Sequence, residues 1–103
     1  MTNNISNIYP KPSSGVLDER LAVSSVVVTL AASGWDITNT KQVIWDVQTN
    51  DIMVTFDGSD PSSSNGHRLY VGQSGTWSLQ LAKAARFIRQ SADAVFQATP
   101  TTV

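Results

Sequence analysis

Four residues with ligand or acid–base chemistry fall close together in the middle of this chain: Asp57, Asp60, Asn65 and His67. Asp57, Asp60 and Asn65, with Asp51 just before them, carry the Asp and Asn oxygens that a calcium loop uses. Asp57-Gly58-Ser59-Asp60, however, lacks the ligand spacing and the closing glutamate of that motif. His67 is the sole histidine, whereas an imidazole metal site draws on more than one. Asp46, Asp57 or Asp60 could supply a carboxylate pair for hydrolysis, but no neighbour in sequence raises the pKa of either partner. Ser62-Ser63-Ser64 has no nucleophile-elbow context, and no glycine-rich loop leads into a phosphate-binding lysine. These residues predict a protein that is not an enzyme and holds no cofactor. Asp and Asn beside Gly are turn formers, so the bland reading of the cluster is a tight, structured loop.

Trp35, Trp45 and Trp77 are the other candidates for chemistry, as a stacking platform for sugars. Trp45 and Trp77 fall at positions that alternate with polar residues and read as core. Trp35 sits in a connection and is the better candidate for an exposed contact. Arg86 and Arg89 flank Phe87-Ile88, placed to pair with carboxylates across an interface or on their own sheet face.

Phe56 to Gly72 is a turn-rich loop and short strand between two apolar runs, with Gly58 and Gly66 at its ends and Pro61 fixing φ in its middle. A small domain that spends so many residues on one loop is expected to use it for contact. Asp57, Asp60, Pro61 and Asn65 are the contact candidates within it, and His67 and Arg68 those just after it.

The chain has 103 residues, 41% of them hydrophobic and 15% charged, enough for one domain with a core. Ser and Thr take the place of charge, which suits strands and loops better than solvated helices. The net charge is −1, with no basic stripe to neutralise phosphates, so nucleic acid is not an expected partner. Cysteine is absent. The start of the chain lacks a basic and apolar leader pattern, and Val26-Val27-Val28 is too short to span a bilayer, so no membrane is expected.

Residues 1–22 read as an extended arm, rich in Asn, Ser and Pro, with one possible helical turn at Asp18-Glu19-Arg20-Leu21. Ile5, Ile8 and Tyr9 give it apolar contact points that a solvated tail would not need. Residues 23–103 form the domain. A first strand is expected over 23–31, where β-branched residues are dense. Residues 42–57 read as a hairpin turning at Asn50-Asp51, which sets Val47 opposite Val54 and Trp45 opposite Phe56 on one sheet face, with Asp46, Gln48, Met53 and Thr55 on the wetter face. A short strand follows the loop, stopped by Gly72 to Gly75. Residues 76–90 carry both alternating and helical spacing; the preferred reading is strand to Leu81, an irregular turn, then strand over 86–90. Ala94, Phe96 and Ala98 form the last strand, ended by Pro100. Short strands with turns between them predict an all-β protein, a small antiparallel β-sandwich or flattened barrel with an extended N-terminal arm.

The second half of the chain carries a recognisable order: Ile52 to Gly58, Asp60-Pro61, Asn65-Gly66-His67-Arg68-Leu69, Gly72, Trp77, Arg86-Phe87-Ile88-Arg89, and Ala94 to Ala98. Over about residues 43–99 it resembles small structural proteins of tailed-bacteriophage virions. The resemblance implies a non-enzymatic β-sandwich in the virion, assembled in the bacterial host cytoplasm. It implies a capsid decoration (cement) protein or a head–tail, neck or tail subunit, bound to the major capsid protein or to neck and tail subunits. A homo-oligomer, trimer or ring, follows from the symmetry of such shells. A module of another class, binding carbohydrate through Trp35 and residues 58–66, and a cupin-like metal enzyme using His67 are the competing readings.

Overall fold

The computed structural model describes residues 18–30 and 40–101 of the chain. Its strands are β1 (Glu19–Val23), β2 (Gln42–Gln48), β3 (Ile52–Thr55), β4 (His67–Leu69), β5 (Ser74–Ser78), β6 (Arg86–Arg89) and β7 (Ala94–Thr101), with one short helix α1 (Leu79–Ala84). They form two antiparallel sheets, one in the order β1-β7-β2-β5 and one in the order β4-β3-β6. The expected small all-β sandwich is the architecture observed, and it does not close into a barrel.

Strand alternation builds the core. On β2, Val43, Trp45 and Val47 are buried while Ile44 is exposed. On β7, Ala94, Phe96 and Ala98 are buried between more open neighbours. β2 and β7 pair along their whole length, from Gln42 opposite Thr101 to Gln48 opposite Val95. That register puts Trp45 beside Ala98 and Val47 beside Phe96 on the inner face. The other layer contributes Ile52, Val54, Leu69 and Phe87. Phe87 and Phe96 meet between the sheets with ring centroids 4.5 Å apart. Each of these rings is fully buried, and removing one from water stabilises by about 1.5–3 kcal/mol.

Trp45 has space because of Gly75. The two are cross-strand partners, and a Cβ on Gly75 would lie 2.8 Å from Trp45 Cζ2. The indole therefore packs against the glycine and reaches Trp77 at 4.9 Å and Phe96 at 5.5 Å.

The predicted hairpin is not formed. β2 and β3 belong to different sheets, so Val47 and Val54 line one core from opposite layers and are not cross-strand neighbours. The turn geometry accounts for this. Thr49 takes φ +80° and the Asn50 N–H donates to Gln48 O at 3.0 Å, which swings the chain out of the first sheet. Asn50 Nδ2 then donates to Asp93 O at 2.8 Å and ties the corner down. Burial favours the same outcome: all four residues of β3 are buried, Met53 and Thr55 included, as suits a central strand covered on both faces.

Three other expectations change. The strand placed at 23–31 lies earlier, at Glu19–Val23, pairing with β7; Asp18 to Leu21 is not a helical turn, and the proposed arm boundary at residue 22 falls inside this strand. Of the valine-rich run only Val28 makes a bridge, to Phe87. Second, the alternation through Leu81 gives way after Ser78, whose hydroxyl accepts from the Leu81 N–H at 3.1 Å and caps α1. Ala82 packs into the core and Ala85 returns the chain to extended geometry. Third, Pro100 lies within β7. On one flank β1 starts opposite Ala98, so among the described residues Pro100 has only β2 beside it, where a missing N–H is tolerated.

Asp46 is on the outer face of β2, half-buried, and accepts from Gln48 Nε2 at 2.9 Å. Asp46→Ala is expected to change unfolding free energy by no more than about 0.5 kcal/mol. A urea titration showing a loss of several times that would mean the carboxylate is essential to the sheet.

Candidate functional site

The loop from Asp57 to Gly66 folds back over the outer face of its own sheet. Thr55 and Arg86 are cross-strand partners on that face. Thr55 Oγ1 donates to Ser59 O at 2.5 Å, and Arg86 Nε donates to Asp60 Oδ1 at 3.1 Å, with its Nη2 on the same oxygen. Pro61 is buried and seats the middle of the loop. Gly66 closes it at φ +120°, so near the strand that a Cβ would fall 2.7 Å from Val54 O.

Within the loop, short-range hydrogen bonds satisfy the polar side chains. Asp57 Oδ1 accepts from the Ser59 N–H at 3.0 Å and from Ser59 Oγ at 2.6 Å. Ser62 and Asn65 exchange backbone bonds at 3.0 and 3.3 Å, and Asn65 Nδ2 donates to Asp60 O at 3.0 Å. The result is an exposed loop with a defined shape. Beside it opens a cleft of about 430 Å³ lined by Thr55, Phe56, Asp57, Ser59, Asn65, Gly66 and His67. Its aromatic wall is Phe56, 6.1 Å from the His67 ring and edge-on to Trp77 at 5.2 Å.

The sequence candidates therefore separate. Asp57, Asp60, Pro61, Asn65 and Arg86 meet in one loop cluster, and His67 borders the cleft. Arg68 points elsewhere: its Nε and Nη2 donate to Asp51 Oδ2 at 3.0 and 2.7 Å, and its guanidinium lies 5.0 Å from the centre of the Tyr70 ring. Arg89 pairs with Asp93 at 2.6 Å. Ile5, Ile8, Tyr9 and Trp35 lie outside the described residues. Among the described residues, no three His, Asp or Glu side chains gather closely enough to hold a metal ion.

Asp51 has a structural role that its local sequence does not show. Read as half of a hairpin turn, it instead ties the corner between β2 and β3 to the end of β4. Its Oδ1 accepts from the Val71 N–H at 2.7 Å and its Oδ2 binds Arg68. No local pattern announces this, because its partners are 17 and 20 residues away.

Two carboxylates are held below their ordinary value of 3.8. The Val71 N–H, then the Arg68 guanidinium, lower Asp51; the Ser59 hydroxyl and N–H lower Asp57. Both bind protons more weakly folded than unfolded, so their contribution is complete above the unfolded pKa and lost as pH falls through the folded one. Melting temperature is expected to hold from neutral pH down to about 4 and then to drop. Asp51→Asn should lower the neutral-pH value and flatten the acid limb. Equal acid limbs in the two proteins would remove Asp51 from the account.

No family model, curated protein or solved structure matches the chain.

Proposed function

We propose that the chain is a non-enzymatic structural subunit of a tailed-bacteriophage virion, a decoration protein that binds and stabilises the assembled capsid shell. The observation that carries the reading is the pre-shaped loop at residues 57–66. Its internal bonds hold it ordered while Asp57, Ser59, Asp60 and Asn65 stay exposed. A surface ordered beforehand loses little conformational freedom on binding, which favours contact with a large, fixed partner. The strand and turn pattern shared with virion proteins runs through this same loop.

β1 starts at Glu19, so the informative truncation removes residues 1–17 and keeps every described strand. The truncated chain is expected to melt like the full chain and to bind undecorated particles at least about tenfold more weakly, ~1.4 kcal/mol. Co-sedimentation measures this. Full occupancy by the truncated chain would sink the role of the N-terminal segment. Failure of the full chain to bind any capsid, neck or tail assembly would sink the virion reading itself.

The cleft favours a second reading, a carbohydrate module. Phe56 supplies a ring, and Asp57, Asn65 and His67 supply polar groups along its wall. It predicts a saturable glycan interaction that weakens in Asn65→Ala; a glycan panel giving no heat in titration removes it.

A further inference from the structure

Four strands form the sheet edges among the described residues: β1, β5, β4 and β6. Three of them are blunted. β6 is covered by the preceding segment, through paired bonds between Val28 and Phe87 at 2.9 and 2.8 Å and a bond from the Arg89 N–H to Ser24 O at 3.0 Å. β4 is three residues long and carries His67 and Arg68. β1 carries Glu19 and Arg20. β5, by contrast, reads Ser74-Gly75-Thr76-Trp77-Ser78, with no charge and no proline; its five-residue ladder with β2 is unbroken, and the bulge at which Gly72 and Gln73 both bond Val47 lies just before it. Charge, proline and bulges are the devices that keep an edge from pairing with another chain, and Ser74 to Ser78 has none of them.

The edge groups with no partner among the described residues follow from the ladder. The Val47 N–H bonds Gln73 O at 2.9 Å and the Leu79 N–H bonds Lys41 O at 3.1 Å, both in the register of β2 with β5. Antiparallel pairs alternate, so Gly75 and Trp77 bond β2, while the backbone groups of Ser74, Thr76 and Ser78 point outward. The Ser78 carbonyl turns into the start of α1, which leaves its N–H on the edge. All three residues are exposed.

We propose that β5 is a self-pairing edge, at which a second copy of this chain adds its own β5 antiparallel about a two-fold axis through Thr76. Thr76 then bonds its counterpart in both directions, and each Ser78 N–H meets the carbonyl of the partner's Ser74. A strand facing its own copy meets any charge it carries as a like charge, and this strand carries none. Residues of opposite charge flank its two ends, Asp46 at one and Lys41 and Lys83 at the other. Asp46 is the cross-strand neighbour of Ser74, and Lys83 lies on the helix that leaves Ser78; the two-fold brings the Lys83 end of one copy to the Asp46 end of the other. The two first sheets merge into one continuous sheet, and the serine and threonine hydroxyls of the two strands face one another across the seam. The inference stands on the edge alone and holds whether or not the virion reading does.

Light scattering on the full chain over a concentration series tests it. The expected mass is twice the 11.1 kDa of one chain, and Thr76→Lys, which sets two ammonium groups opposite each other, is expected to halve it without changing the circular dichroism. The chain has no cysteine, so Thr76→Cys provides an independent reading. Oxidation should join that variant into a covalent dimer and leave Ser63→Cys, in the loop, as single chains. If Thr76→Lys fails to fold, the cross-link decides. A monomer at every concentration up to about 1 mM, where the free energy of association is only ~4 kcal/mol, overturns the proposal. So does a trimer, a ring, or an assembly whose mass Thr76→Lys leaves unchanged and which Thr76→Cys does not cross-link.

Discussion

Trp45→Ala is expected to leave the chain largely unfolded at physiological temperature. The side chain is 5% exposed and stands where both layers converge, against Trp77 and Phe96 and above Gly75. Gly75 cannot fill the space that alanine would leave, and the neighbouring rings are held by contacts of their own, so the cavity would collapse only in part. Removing a buried aromatic of this size costs about 3–5 kcal/mol. Small domains have about 5–15 kcal/mol in all. Trp45 Nε1 is buried without a hydrogen-bond partner, a cost the native protein already carries. Trp45→Phe removes that donor and keeps a ring, so its expected loss is about 1–2 kcal/mol. Urea midpoints for the two variants measure the difference. A Trp45→Ala protein that melts near the wild-type temperature would refute the packing described for the inner sheet faces.

Gly66→Ala is the second change with a large expected effect. At φ +120° the residue is in a region that side chains rarely occupy, and such strain costs about 1–3 kcal/mol. The new Cβ would also meet a backbone atom, Val54 O, at 2.7 Å, so either the loop or β3 must move. Gly58 is the internal control. It too has positive φ, at +88°, but nothing lies within 4 Å of its Cβ position. Gly58→Ala is therefore expected to cost about 1 kcal/mol, from backbone conformation alone. Hydrogen exchange should show the Ser62–Asn65 bonds opening faster in Gly66→Ala than in Gly58→Ala. Equal stability of the two variants would mean the loop is not seated on its strand, and would take with it the pre-shaped surface on which the proposed function rests.

The loop shows how far local pattern reaches. Gly58, Pro61, Asn65 and Gly66 announce a tight, ordered turn region, and these residues form one. That Asp60 reaches Arg86, 26 residues on, follows only from β3 and β6 being neighbours, which spacing does not encode. The hairpin fails for a related reason. Alternation on β2 and β3 tells which side chains go inward, and Trp45, Val47 and Val54 are all inside. It does not tell whether two inward faces share a sheet or oppose each other, because both arrangements bury the same residues.

The chain's own residues determined the β class, the inward set on β2 and β7, and a structured polar loop between two apolar runs. These depend on neighbours one to four positions apart, where period and turn chemistry act. Tertiary structure decided which sheet each strand joins, where the first strand begins, and that α1 follows Ser78. It also decided that Asp51 binds Arg68 and Val71, and that, of the sheet edges among the described residues, β5 presents an uncharged row of backbone groups. Those outcomes turn on long-range burial and pairing, and no single segment contains the partner that settles them.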